Sequence, residues 1–205
     1  MKFFVNFLSA FRIASAFALI PLLMFSLYNP VLFWWPFGLF VLAAMSDWFD
    51  GFLARKYNVC TKLGGVMDHI GDKLLVANTL IMLTVLTPLW FIIVPIIIMI
   101  ARELYISGLR EFLGTQKIEM PVPKARFSMG KIKTTLQMIA ICAFLLLFAL
   151  STLVSDINAE GTIMRIINIL TYIGIWGIWL ALFASVWSAT QYTFTFVQKL
   201  KQIKK

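Results

Sequence analysis

Long apolar runs, separated by short polar or proline-bearing breaks, follow one another along almost the whole chain. A helix needs about 20 predominantly apolar residues to cross the hydrocarbon core of a bilayer, and six runs meet that requirement. They cover roughly residues 12–28, 31–54, 67–87, 89–109, 132–154 and 163–194. The pattern predicts an all-α integral membrane protein with six transmembrane helices.

The composition supports this interpretation, since 61% of the 205 residues are hydrophobic. Such a chain is not a soluble globular protein. The polar segments between the apolar runs are too short to bury a core of their own. We therefore expect a single transmembrane domain that spans residues 1–205.

The basic residues predict the orientation, because cytoplasmic loops of membrane proteins are enriched in Lys and Arg. With the N-terminus inside, every one of the 18 Lys and Arg residues except Arg165 falls on the inner side. Six spans then return the C-terminus to the cytoplasm as well. We interpret the net charge of +9 as a positive face at an anionic leaflet and not as a nucleic-acid site, because no soluble basic module is present.

Four of the nine acidic residues lie in one stretch at the inner ends of the second and third runs. Asp47 and Asp50 are three residues apart, and Asp68 and Asp72 are four apart, so each pair shares a helix face. A charged residue near the centre of a membrane helix costs about 2.5–3.5 kcal/mol. Such a concentration of carboxylates therefore indicates a bound cation or a proton to be moved. We expect the loop between the runs to bring both pairs together at one membrane depth, open to the cytoplasm.

Oxygen ligands at this density suit Mg²⁺, Mn²⁺ or Ca²⁺ better than zinc. Two adjacent divalent ions could hold a diphosphate and stabilise both the attacking and the leaving oxygen of a displacement. Gly51 and Ala54 extend the face of Asp47 with small residues, and Arg55 could bind a phosphate. The stretch therefore predicts a phosphoryl-type substrate. The alternative is that the aspartates cap helices and pair with the basic residues around them.

The same stretch has the form Asp-x2-Asp-Gly-x2-Ala-Arg-x8-Gly-x3-Asp-x3-Asp between Asp47 and Asp72. This pattern resembles the signature of the CDP-alcohol phosphotransferases at every fixed position. The resemblance implies the fold of that family, with six transmembrane helices, usually a homodimer and a polar cavity at the cytoplasmic side.

The resemblance also implies roles for individual residues. The metal ligands, for two ions of Mg²⁺ or Mn²⁺, would be Asp47, Asp50, Asp68 and Asp72. Asp72 would be either a further ligand or the general base. The site for the CDP-lipid would be lined by Asp47, Gly51, Ala54 and Arg55.

Three further segments, Asn6–Arg12, Arg102–Glu111 and Gly130–Met138, resemble the family members whose acceptor is glycerol 3-phosphate. The phosphate of that acceptor needs a cationic site of its own, whereas serine or choline would not. The candidates for this site are Arg102, Arg110, Lys131 and Lys133. We expect CDP-diacylglycerol as the donor, glycerol 3-phosphate as the acceptor and a bacterial inner membrane as the location.

Two alternatives stay open. Within the family, the acceptor could be inositol phosphate, serine or a phospholipid. In a different class, the carboxylates could line a path for divalent-cation transport. Inverted repeats or broken spans would favour a transporter, and the sequence shows neither.

Overall fold

The computed structural model describes residues 2–57, 62–116, 129–154 and 161–203. Within these ranges the chain is helical and contains no strand, so the predicted all-α fold is confirmed. A 3₁₀ turn, Pro30–Phe33, links the first two helices. The α-helices are α1 (Lys2–Tyr28), α2 (Trp34–Tyr57), α3 (Lys62–Leu86), α4 (Trp90–Thr115), α5 (Met129–Val154) and α6 (Thr162–Ile203).

The membrane-spanning character of these helices follows from their length and apolar composition. Among the described residues, five helical segments are long and apolar enough to cross a bilayer, and Pro30–Ser46 is a shorter apolar helical stretch. The five segments are Phe7–Tyr28, Gly64–Leu86, Trp90–Thr115, Ile132–Val154 and Thr162–Leu200. They correspond in order to predicted spans, while the number of crossings and the side of each terminus stay predictions.

Large apolar side chains cover the outside of the bundle, for example Phe25, Trp90 and Phe183. Helices that are apolar on nearly all sides are typical of membrane spans. Pro21 in α1 and Pro95 in α4 lie inside helices, which neighbouring helices and local adjustments make tolerable in a membrane.

The helices pack as a continuous bundle. The main contacts join α1 to α2 and α3, and α6 to α4 and α5, while α2 also contacts α5 and α3 contacts α4. The buried core between them is apolar and includes Leu19, Leu75, Ile96 and Leu145. This arrangement brings the end of α4 and the start of α3 and α5 to the same end of the bundle.

Helices α5 and α6 approach each other closely at two glycines. A Cβ atom at Gly177 would lie 2.9 Å from the Cβ of Ala140, and one at Gly174 would lie 2.7 Å from a ring carbon of Phe144. Small residues at such positions let the backbones of membrane helices approach closely. The two glycines therefore fix the distance between α5 and α6.

We expect Gly177→Ala to lower the melting temperature of the detergent-purified protein. The added methyl overpacks the interface with Ala140, and overpacking typically costs about 1–3 kcal/mol. Gly38→Ala is the matched control, because a Cβ atom there meets nothing within 4 Å. In the control only the helical preference for Ala acts, which stabilises by about 0.5–1 kcal/mol. Equal melting temperatures for the two variants would contradict the close packing of α5 and α6.

Candidate active site

Charged side chains from α1, α3, α4 and α5 meet at one level of the bundle. They form two neighbouring groups, which we call the aspartate cluster and the glutamate cluster. The aspartate cluster consists of Arg12, Asp68 and Asp72. The glutamate cluster consists of Lys73, Arg102, Glu103 and Lys133. Because Asp72 and Lys73 are consecutive residues of α3, the two clusters lie side by side.

In the aspartate cluster, a single guanidinium nitrogen joins α1 to α3. The NH1 atom of Arg12 donates to Oδ1 of Asp68 and to Oδ1 of Asp72, at 2.6 Å in each case. The two aspartates are four residues apart on α3, so they share a face of the helix. Gly71 lies against Arg12, since a Cβ atom there would be 3.4 Å from the Cδ of the arginine. The small residue lets the arginine lie close to the backbone of α3.

The exposed fractions of these three side chains show which of them a ligand can reach. The side chain of Arg12 is 0% exposed, whereas those of Asp68 and Asp72 are 40% and 30% exposed. The arginine therefore holds the carboxylates from the protein interior, and the carboxylates keep an accessible side. Their accessible oxygens are where a ligand can approach.

The donor chemistry of this cluster fits a divalent cation that prefers oxygen. Asp68 and Asp72 already converge on one positively charged atom, and carboxylates are the ligands that Mg²⁺ and Ca²⁺ prefer. Among the side chains that the structure describes, no three His, Cys, Asp or Glu residues converge on one point. The remaining candidates lie outside these described side chains, although α2, which carries them, packs against α1 and α3. They are Asp47, Asp50, Gly51, Ala54 and Arg55.

In the glutamate cluster, three cations from three helices surround one carboxylate. Oε2 of Glu103 accepts hydrogen bonds from Nζ of Lys133 on α5 and, at 3.0 Å, from NH1 of Arg102. Oε1 of Glu103 lies 3.9 Å from Nζ of Lys73, which donates to Oγ of Ser107 at 2.8 Å. Three positive charges and one negative charge leave this cluster with a surplus of positive charge.

The members of the glutamate cluster lie at two depths. The side chains of Arg102 and Lys133 are each 9% exposed, whereas those of Lys73 and Glu103 are 31% and 32% exposed. Glu103 and Lys73 are therefore the accessible members of the cluster, and Arg102 and Lys133 are the buried ones.

Two arginines of α4 also bind α6. Nε of Arg102 donates to the backbone oxygen of Ser185 at 3.0 Å, and NH2 donates to Oγ of Ser188 at 2.9 Å. Further along α4, NH2 of Arg110 donates to the hydroxyl of Tyr192 at 2.9 Å, with the guanidinium carbon 5.0 Å from the centre of the ring. Because residue numbers rise together on both helices, α4 and α6 run parallel here. These contacts hold both arginines in place.

The structure brings together some of the residues predicted from the sequence and adds others. Asp68 and Asp72 share one cluster, and Arg102 and Lys133 share the other. Arg110 lies apart, against Tyr192. The side chain of Lys131 is outside the described residues.

Sequence reasoning missed three members of the clusters, namely Arg12, Lys73 and Glu103. Two of them stood in segments already singled out for their resemblance to the family. Arg12 ends the N-terminal segment, and Glu103 follows Arg102 in the fourth apolar run. The available signal was a charged residue at the start of an apolar run or inside one, because such a charge needs a partner within the bundle.

Comparison with known proteins decides the family. The sequence model of the family described as CDP-alcohol phosphatidyltransferase matches residues 4–187. The chain belongs to this family. The resemblance predicted from the aspartate signature is thereby confirmed. The family generally uses divalent metal ions, in agreement with the oxygen donors of the aspartate cluster.

Curated relatives agree with the family assignment. Proteins named CDP-diacylglycerol–glycerol-3-phosphate 3-phosphatidyltransferase from Escherichia coli (strain K12), Escherichia coli O157:H7 and Shigella flexneri serotype 5b (strain 8401) are similar to this chain. Each is 42% identical over 126 residues, which is 60% of this chain and 68% of the relative. The apolar helices and the similarity to these relatives together indicate that the chain is an integral membrane protein.

We expect Arg12→Gln to destabilise the protein, because Asp68 and Asp72 would then face each other without the guanidinium. Removing one partner of a buried ion pair costs about 3–5 kcal/mol. Since both carboxylates are partly exposed, we expect a smaller loss of about 1–3 kcal/mol. The measurement is the melting temperature in detergent, first with EDTA and then with Mg²⁺.

Mg²⁺ should raise the melting temperature of Arg12→Gln more than that of the unchanged protein, because it replaces the missing positive charge. Arg165→Gln is the matched control, since Arg165 is exposed on α6. If Arg12→Gln melts at the same temperature as this control in EDTA, the buried ion pair does not stabilise the fold.

Proposed function

We propose that this protein transfers the phosphatidyl group of CDP-diacylglycerol to glycerol 3-phosphate, which yields phosphatidylglycerophosphate and CMP. The observation that carries the proposal is the pairing of two clusters of opposite character inside one membrane bundle. One presents carboxylates for a cation-bound diphosphate, and the other presents a surplus of positive charge for a second phosphate. The names of the curated relatives support this donor and this acceptor.

The donor site is built on the aspartate cluster. We propose that two ions of Mg²⁺ or Mn²⁺ are held by Asp47, Asp50, Asp68 and Asp72. When bound, such ions balance the charge of a diphosphate and stabilise the attacking and leaving oxygens of a displacement. The CMP half of the donor then lies along the small residues of α2, and its acyl chains stay in the bilayer. The residues that line this part of the site are Asp47, Gly51, Ala54 and Arg55.

The acceptor site is built on the glutamate cluster and its neighbours. Glycerol 3-phosphate carries a phosphate dianion, and the cluster holds three cations for one carboxylate. A guanidinium has five N–H donors, so an arginine that binds α6 can also donate to a phosphate. The proposed ligands of the acceptor phosphate are Arg102, Arg110, Lys131 and Lys133.

The chemical step is a displacement at phosphorus. The carboxylate of Asp72 takes the proton of the free terminal hydroxyl of glycerol 3-phosphate, and that oxygen attacks the phosphorus on the lipid side of the donor. The bond from this phosphorus to the oxygen of CMP breaks, and CMP leaves with its developing charge stabilised by Arg55. Arg12 donates a hydrogen bond to Oδ1 of Asp72 and so holds this carboxylate in place.

The membrane setting is also part of the proposal. We place both termini and the active site on the cytoplasmic side of a bacterial inner membrane, with one domain over residues 1–205 and a homodimer as the assembly. The support for the orientation is the distribution of basic residues, of which Arg165 alone falls on the outer side.

The proposal is tested by the release of CMP from CDP-diacylglycerol by the purified protein. We expect release only when glycerol 3-phosphate and a divalent ion are both present, and its loss when EDTA removes the metal. Inositol phosphate, serine and a phospholipid are the comparison acceptors. Release with one of these instead of glycerol 3-phosphate would keep the family and overturn the acceptor, whereas no release with any acceptor would overturn the reaction.

The role of Asp72 is tested by Asp72→Asn, which keeps the size of the side chain and removes its basicity. Loss of a general base typically lowers turnover by about 100- to 10,000-fold. We expect such a loss in the rate of CMP release, with the protein still folded and still binding CDP-diacylglycerol, because Asp68 keeps its ion pair with Arg12. Turnover close to that of the unchanged protein would show that another group takes the proton.

A further inference from the structure

Glu103 lies where the acceptor phosphate has to arrive. It is the more accessible partner of two cations that are almost fully buried, Arg102 and Lys133, and it contacts both of them. An acceptor phosphate that reaches Lys133 from the accessible side therefore comes to the position of this carboxylate. Two anions so close together repel each other strongly in a site of low dielectric constant.

We propose that Glu103 is an internal counter-ion of the acceptor site, and that the phosphate of the acceptor displaces its carboxylate from Lys133. This inference rests on the proposed function, because it assigns the glutamate cluster to the acceptor. Glu103 thereby acts as a specificity-determining residue for the reaction. It does not take part in the bond changes at phosphorus.

The charges of the glutamate cluster explain why such a counter-ion is needed. Arg102, Lys133 and Lys73 bring three positive charges together inside a membrane bundle. Buried charges without compensation are costly, and removal of the partner of a buried ion is strongly destabilising. Glu103 supplies the compensation until a substrate anion supplies it instead. Binding is then an exchange of one anion for another.

Two of the three cations have contacts other than Glu103 that hold them in place during this exchange. Arg102 is held by hydrogen bonds to Ser185 and Ser188 on α6. Lys73 is held by Ser107 at 2.8 Å, closer than the 3.9 Å that separates it from Glu103. Departure of the carboxylate therefore leaves a preformed set of donors for the phosphate.

A selectivity follows from this arrangement. A phosphate monoester at neutral pH carries more negative charge than a carboxylate and offers three oxygens to the three cations. It can therefore replace Glu103, whereas a hydroxyl acceptor without phosphate leaves the carboxylate in place. The resident anion makes binding conditional on the charge of the acceptor.

The test is Glu103→Gln, because glutamine keeps the shape and can still accept a hydrogen bond from Lys133. Without a competing carboxylate, we expect the KM for glycerol 3-phosphate to fall by about tenfold, the effect of one charged hydrogen bond. Inhibition by inorganic phosphate should strengthen in parallel, and the KM for CDP-diacylglycerol should stay unchanged. Glu111→Gln is the matched control, since it removes the same charge from an exposed position of α4. An acceptor KM that is unchanged or raised in Glu103→Gln would overturn the proposal.

Two further measurements keep the outcome decisive. Glu103→Asp retains the charge but withdraws it by one methylene, so the acceptor KM should fall by a smaller factor. If Glu103→Gln does not fold, Glu103→Asp tests the inference instead, and an acceptor KM at or above that of the unchanged protein overturns it.

Titration calorimetry with inorganic phosphate alone separates the counter-ion proposal from the proposed function. Tighter phosphate binding in Glu103→Gln supports the counter-ion even if the unchanged protein releases no CMP, whereas equal or weaker binding contradicts it.

Discussion

The structure depends on one constraint, which is that a charge inside a membrane bundle must meet an opposite charge or a hydrogen-bonding partner. Arg12 meets Asp68 and Asp72 and thereby joins α1 to α3. Glu103 meets cations from α3 and α5 and joins both helices to α4. Because apolar side chains are no better solvated by each other than by lipid tails, these ion pairs fix the arrangement of the helices where apolar packing alone would not. Contacts that help to hold α1, α3, α4 and α5 together are therefore also the contacts that form the candidate site.

The helices and two of the three members of the aspartate cluster could be predicted from the sequence because both are local features. Apolar runs predict membrane helices directly, and a spacing of four residues places Asp68 and Asp72 on one helix face. The ends of the helices were predicted less well. The last apolar segment extends to Leu200, beyond the predicted end at residue 194, since long side chains such as that of Lys199 can reach polar surroundings from a continuing helix.

The partners of these charges could not be predicted, because they come from helices that are distant in the sequence. Arg12 and Asp68 are separated by 56 positions, and Glu103 and Lys133 by 30. Helical periodicity relates residues within one helix and carries no information about which helix faces another. The resemblance to the family marked the segments of Arg12 and Glu103 as important without indicating what either residue contacts. Only the packing of α1 on α3 and of α4 on α6, with the contact of Lys133 on α5 to Glu103 on α4, supplies that information.

The two clusters have opposite signs and meet on one helix, since Asp72 belongs to the first and Lys73 to the second. In each cluster, one charged side chain neutralises the groups that a bound metal ion or a substrate phosphate would otherwise neutralise. Arg12 compensates the carboxylates, and Glu103 compensates the cations.

Without such counter-ions, a polar site in a membrane bundle would hold like charges together until its ligands bind, at a large cost in stability. Resident counter-ions remove that cost, and they do so without closing the site, because the carboxylates of both clusters stay partly exposed. They differ in exposure, since Arg12 is more buried than its partners, whereas Glu103 is more exposed than Arg102 and Lys133. The first can therefore stay when a cation binds, whereas the second has to move when a phosphate arrives.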